Sequence, residues 1–264
     1  MKKRGFTLIE LLVVISIIAL LLAIMMPALG MVKEKARAVV CRSNMKQWGL
    51  CVALYAQNNN GKLQDGRTGY EEGGEGASVW YHAYRDYYND PDIRFCPSAK
   101  KLGKVPHGNA GIGYWGGKYE AWSLNNATDD SGSIAMNSWA MSPTYGDTSY
   151  YWKKFHCKGA KDVPVFVDGL WRSLNPKNID TAPASDGALP PAAWQDSMWR
   201  VALDRHDGAV NVAFMDGSVS KVDIKELWSL KWSRVWDTDE GPNGGWPEWM
   251  DKFKDYDYPG LRDD

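Results

Sequence analysis

The sequence predicts an α+β protein: one long N-terminal helix, transmembrane in its first half, packed on a small antiparallel β-sheet head with extra loops and a C-terminal helix. Three observations predict it. An apolar run from Phe6 to Met26, with Glu10 its one charged residue, passes into helically spaced apolar residues that continue to Asn58. Two β-prone segments late in the chain each end in Asp-Gly, and a stripe at helical spacing follows the second. With 264 residues there is room for the helix and one head of about 200 residues, large enough for a hydrophobic core.

The apolar run is 21 residues long apart from Glu10, and about 20 helical residues span the hydrocarbon core of a bilayer. Lys2, Lys3 and Arg4 precede it, which places the N-terminus in the cytoplasm and the rest of the chain outside. A cleaved secretory signal ending near Gly30 and an uncleaved anchor would both use such a run, but a signal core is usually about 7 to 15 residues long. Neither accounts for Glu10, since a carboxylate in a spanning helix costs about 2.5 to 3.5 kcal/mol on insertion scales and tends to mark function. The net charge of -1, with no basic cluster after Arg4, argues against a nucleic-acid partner.

The start, MKKR-Gly5-Phe6-Thr7-Leu8-Ile9-Glu10, resembles the leader and processing site of the type IV pilin and type II secretion pseudopilin superfamily. The resemblance implies that residues 1–5 are a leader removed after Gly5 by prepilin peptidase, and that Phe6 is then N-methylated. It also implies that Glu10 serves assembly, that Pro27 kinks the helix, and that the fold is pilin-like. The physics of an intramembrane charge agrees: the new amine of Phe6 and the Glu10 carboxylate of a neighbouring subunit would neutralise each other. The implied partners are the peptidase, other pilin-like subunits and the inner-membrane secretion assembly platform. The implied location is the inner membrane, single-pass, with the head in the periplasm or on a cell-surface filament.

Residues 6–60 form the long helix, transmembrane over 6–26 and amphipathic over 27–60, and residues 61–264 form the exported head. In the amphipathic part Leu29, Val32, Ala36, Val40, Cys51 and Leu54 read as the buried stripe. Asn58-Asn59-Asn60-Gly61 is the stop, and a rod from Phe6 to Asn58 would be about 80 Å long. Cys41 and Cys51 lie about 15 Å apart on one helix, too far for a disulfide. Cys96 and Cys157 are therefore the candidate pair within the head, Cys51 is a packed thiol, and Cys41 is left undecided. No Cys-x-x-Cys pair signals zinc.

From Gly61 to about Ala160 the chain reads as loops and short strands. Val163 to Gly169 and Val210 to Gly217 read as strands ending in tight Asp-Gly turns. Val210, Val212 and Phe214 lie on one face, and Ser218 to Asp223 is the partner strand. Asp223 and Glu226 then resemble a capping box for a helix carrying Leu227, Trp228, Trp232, Val235 and Trp236. Several landmarks resemble one pseudopilin-like branch, named for a C-terminal His, nine residues and Asp-Gly. They are Cys41 to Gln47, Phe95-Cys96-Pro97-Ser98, and His206 with Asp216-Gly217 at 206–217.

His206 is the one tempting catalytic residue. No Gly-x-Ser-x-Gly elbow, His-Glu-x-x-His or clustered second histidine accompanies it, so the expected role is structural, bonded to the backbone or to an aspartate such as Asp168 or Asp216. Asp237 and Asp239 are calcium candidates in an acidic loop, although the glycine falls one position early for an EF-hand and such loops are commonly just solvated. Thirteen of the 14 Trp lie beyond the long helix, which raises a polysaccharide platform against the plainer reading of packing. The expected function is a structural subunit of a type II secretion or type IV pilus-like filament, not an enzyme. A Trp-rich polysaccharide-binding module is the alternative.

Overall fold

The computed structural model describes residues 7–66, 80–106, 113–124, 130–144, 147–187 and 196–256. Helix α1 runs unbroken over Leu8–Asn58. Thr7 opens it as N-cap, and Pro27 sits inside it, where the missing N–H leaves the Ala23 carbonyl without its usual helical donor. The helix stops where the Asn-Gly run predicts: Asn60 and Gly61 turn to φ 56° and 76°, and the Gly61 N–H closes on Ala56 O at 2.7 Å.

Every residue of α1 from Leu8 through Ala36 is exposed. Burial starts at Cys41 and continues through Met45, Trp48, Gly49, Cys51, Val52 and Ala56, a single face recurring every three or four residues. The stripe expected from the sequence is therefore out of phase. Leu29, Val32, Ala36, Val40 and Leu54 are all exposed, and only Cys51 of that set is buried. Leu29, Val32 and Ala36 lie on the exposed part of the helix, and Leu54 lies within the seated part but on a face turned from the head.

The class is α+β as expected, but among the described residues the head carries two mixed sheets rather than one small antiparallel one. The first is built of short strands: β1 (Lys101–Leu102), β2 (Val105–Pro106), β3 (Gly113–Trp115), β4 (Glu120–Leu124) and β5 (Ser131–Gly132). The second holds β6 (Ile134–Asn137), β7 (Pro164–Asp168), β8 (Ser173–Leu174), β9 (Ala209–Phe214) and β10 (Val219–Asp223), in spatial order β10-β9-β7-β6-β8. All six residues of β9 are buried, because α1 covers one face and the C-terminal segment the other. Val210, Val212 and Phe214 pack against Leu227, Trp228 and Trp232, while Ala213 joins the core formed by Cys41, Met45 and Trp48.

The β9–β10 hairpin pairs Val219 with Ala213. Its Asp216-Gly217 turn needs positive φ only at Gly217 (80°), not at both residues. Asp168-Gly169 makes no hairpin, since β7 pairs with β6 and β9 and the following strand β8 joins β6.

The expected C-terminal helix is also corrected: a 3-10 turn at Lys225–Ser229 gives way to extended chain at Leu230. The tryptophans themselves explain this. The indole N–H groups of Trp232 and Trp236 donate to Leu227 O (2.7 Å) and Trp228 O (2.9 Å), carbonyls that a continuing α-helix would have used. Glu226 still reaches back to the Asp223 N–H at 3.4 Å, but Asp223 ends β10 and the turn begins from Ile224.

Candidate functional site

Two places gather the residues singled out by the sequence. At the head of α1, Glu10 Oε2 accepts the Thr7 N–H and Oγ1–H, both at 2.8 Å, and Thr7 Oγ1 accepts the Glu10 N–H at 3.3 Å. This reciprocal capping box satisfies amides that no helical carbonyl can reach. Gly5 and Phe6, the expected cleavage and methylation positions, lie outside the described residues.

The second place lies beneath α1. Cys41 from α1, Cys96 after the 3-10 turn Pro91–Arg94, Asp168 at the end of β7 and His206 ahead of β9 bring their donor atoms within 4.8 Å of one another. His206 Nε2 stands 3.1 Å from Asp168 Oδ2 and 3.4 Å from Cys96 Sγ, and Cys41 Sγ is 3.4 Å from Asp168 Oδ1. Local chemistry sets each position. Directly after His206, Asp207 and Gly208 both take positive φ (58° and 75°), and the His206 N–H donates to Ala209 O at 3.0 Å as the chain turns into β9. An Asp-Gly pair with two positive φ values thus precedes β9, whereas the Asp216-Gly217 turn after it has one. The Cys96 N–H is fixed by Ser133 Oγ at 2.7 Å, and Asp168 Oδ2 accepts the Asn211 N–H from the adjacent strand at 2.8 Å.

Arg205 surrounds the group from behind. Its guanidinium donates to Asp168 Oδ1 (3.1 Å) and to the carbonyls of Ser133 (2.7 Å), Lys118 (2.8 Å), Gly117 (2.9 Å) and Gly169 (3.4 Å). Burial alone would raise Asp168, but His206 and then Arg205 hold it down to about 2. Burial likewise opposes charge on His206, and its bonds to Asp168 and Cys96 overcome that and raise it to about 9. The hydrogen bond from Cys41 brings Cys96 down to about 6, while burial pushes Cys41 well up.

This arrangement is unsuited to acid–base relay. A triad uses one imidazole nitrogen toward the nucleophile and the other toward the carboxylate, whereas here Nε2 faces both Cys96 and Asp168. Cys41, Cys96 and Asp168 are moreover fully buried and His206 is 6 % exposed, which leaves a substrate no approach.

The remaining sequence candidates lie elsewhere. All four cysteines are free thiols in this structure, and Cys96, one member of the expected pair, faces Cys41. Cys157 is half-buried against the edge of the core. Asp216 accepts the Ser218 N–H at 2.8 Å in the hairpin turn, and Gly217 O receives Lys46 Nζ of α1 at 2.6 Å. Asp237 and Asp239 are exposed, with Asp237 Oδ1 accepting the Asp239 N–H at 2.9 Å; they stand apart from the buried group. Among the described residues no tryptophan is fully exposed. Trp246 stacks edge-on against Trp228, and Trp249 Nε1–H binds Pro183 O.

Reading along the chain missed Cys41, Cys96 and Asp168 as partners of one another. The available signal was indirect: each lies in a segment already marked as a landmark or strand end. Neither a curated protein nor a solved structure matches the chain. α1 is long and apolar enough to cross a membrane. Residues 1–26 match the family described as the prokaryotic N-terminal methylation motif, which supports a type IV pilin-like or pseudopilin precursor anchored in a membrane by α1.

Proposed function

We propose that the chain is a structural subunit of a type II secretion or type IV pilus-like filament, cut by prepilin peptidase after Gly5 and methylated on Phe6. The match of residues 1–26 to the methylation motif carries this reading, and the exposed apolar helix that follows supports it. A helix apolar all round is at home in lipid or among like helices, and assembly would exchange the first surrounding for the second. The head stays outside the cytoplasmic face, and the inner-membrane assembly platform receives the processed subunit.

Glu10 has a defined part in this scheme. Its Oε2 already binds Thr7, and a carboxylate has acceptor capacity to spare for the Phe6 amine of a neighbour. Mass spectrometry of the mature N-terminus is expected to find methylated Phe6. An intact Met1, or a start near Met31, would overturn the reading. Glu10→Ala should be processed normally yet fall at least tenfold in filament incorporation by quantitative immunoblot; wild-type incorporation would remove the pairing.

A further inference from the structure

We propose that Cys41, Cys96, Asp168 and His206 form a closed four-coordinate site for a zinc ion that fastens α1 to the head. Donor type is the first argument. Two thiolates, an imidazole and a carboxylate suit a borderline-soft divalent ion, whereas calcium and magnesium want oxygen alone.

Geometry is the second. Around an ion with bonds of about 2.0 to 2.3 Å, tetrahedral ligand atoms stand about 3.3 to 3.8 Å apart. His206 Nε2 lies 3.4 Å from Cys96 Sγ and 3.1 Å from Asp168 Oδ2, and Cys41 Sγ lies 3.4 Å from the other carboxylate oxygen, Oδ1. With one ligand atom from each residue, all pairs fall within 4.8 Å. Small shifts bring all four donors onto one centre. No position is left open toward solvent, since all four side chains are buried, and closed sites of this kind are structural rather than catalytic.

The surroundings are the third. Ligating carboxylates are typically held by further hydrogen bonds, and Asp168 is held by Arg205 and by the Asn211 N–H. Coordination takes both thiols as thiolates and His206 as neutral imidazole, so the protons they carry leave as the ion enters. A divalent ion with the Arg205 guanidinium then balances two thiolates and one carboxylate, and no net charge is buried. A Cys41–Cys96 disulfide would be the competing use of the thiols, but it gives no reason for His206 and Asp168 to converge on the same point.

The test uses the full chain extracted in detergent without chelator. Elemental mass spectrometry is expected to give about one zinc per chain, with Cys157→Ser unchanged and both Cys96→Ser and His206→Ala at least tenfold lower. Because those variants could fail to fold, wild-type protein is also stripped and reloaded with cobalt(II) under reducing conditions. Thiolate-to-cobalt absorption and the intense visible bands of a tetrahedral ion are then expected. The proposal is overturned by absence of stoichiometric metal before and after reloading, by full zinc retention in Cys96→Ser, or by metal-free native protein whose peptides are joined through Cys41 and Cys96.

Discussion

The two halves of α1 share one backbone geometry and are held in opposite ways. From Leu8 to Ala36 every residue is exposed, and a hydroxyl such as that of Ser16 returns to its own chain at Leu12 O (2.8 Å). Among the described residues, only near the end of the stretch does a side chain meet the head, where Glu34 Oε2 accepts the Ser98 hydroxyl at 3.4 Å. From Cys41 to Ala56 one face is buried in the head. There the polar side chains also reach across: Asn44 donates to Phe95 O (2.9 Å), Lys46 to Gly217 O (2.6 Å) and Trp48 to Ile93 O (2.9 Å). The first half is specified by composition for surroundings outside the chain. The second is specified by contacts with residues far away in sequence.

The largest break in that contrast should come from Trp48→Ala. Trp48 is fully buried, with ring centroids 4.6 Å from Trp80, 4.7 Å from Tyr88 and 5.8 Å from Phe166. Its loss is expected to destabilise the head by about 3–5 kcal/mol in chemical denaturation. Leu20→Ala, the same kind of truncation on the free half, should change head stability by less than about 0.5 kcal/mol. Equal effects would mean that the two halves are not independent.

A pH effect sharpens the contrast from within the head. Burial, and then the charge of Asp196, push Asp180 up to about 7, against the N–H bonds that Oδ2 accepts from Ser197 and Met198 and with Arg200 near the pair. The folded value lies above the ordinary 3.8, so the folded head retains a proton that the unfolded chain gives up. That contribution is complete below about pH 4 and lost as pH rises through about 7. Asp180→Asn should therefore gain about 4 kcal/mol on wild type between pH 4 and pH 8, read from urea midpoints. A constant difference across that range would count against it.

Gly217→Ala should have the smallest measurable effect. The position has room for a methyl group but sits at φ 80°, so the substitution is expected to cost about 1 kcal/mol through backbone strain alone. Gly30→Ala on the free half also has room and has ordinary helical backbone, so it should leave the head unchanged.

The same contrast explains what could be read along the chain. The apolar run, the Asn-Gly stop and the pairing of β9 with β10 depend on neighbours in sequence and were legible. The buried face of α1 was not, because Leu29, Val32 and Val40 are as apolar as Met45 and Val52 although only the latter two meet the head. Trp228, Trp232 and Trp236 have helical spacing, yet two indole N–H groups take the carbonyls that a helix would need. Of the buried group the His206–Asp168 contact was anticipated, but the convergence of Cys41 and Cys96 on it was not: the four members lie in four separate segments, and no local spacing marks side chains that only the fold brings together.

Cys41 is the first buried residue met along α1 from its N-terminus, 15 positions beyond Met26 and so about 22 Å along the axis. In mechanical terms the intervening helix is a cantilever, and Cys41 is where it is clamped. A pull on the apolar half enters the head there and passes through Asp168 into β7, whose neighbour β9 follows His206. The helix is thus gripped at the near end of its seat, where traction from the membrane side arrives first, instead of being peeled away from the far end.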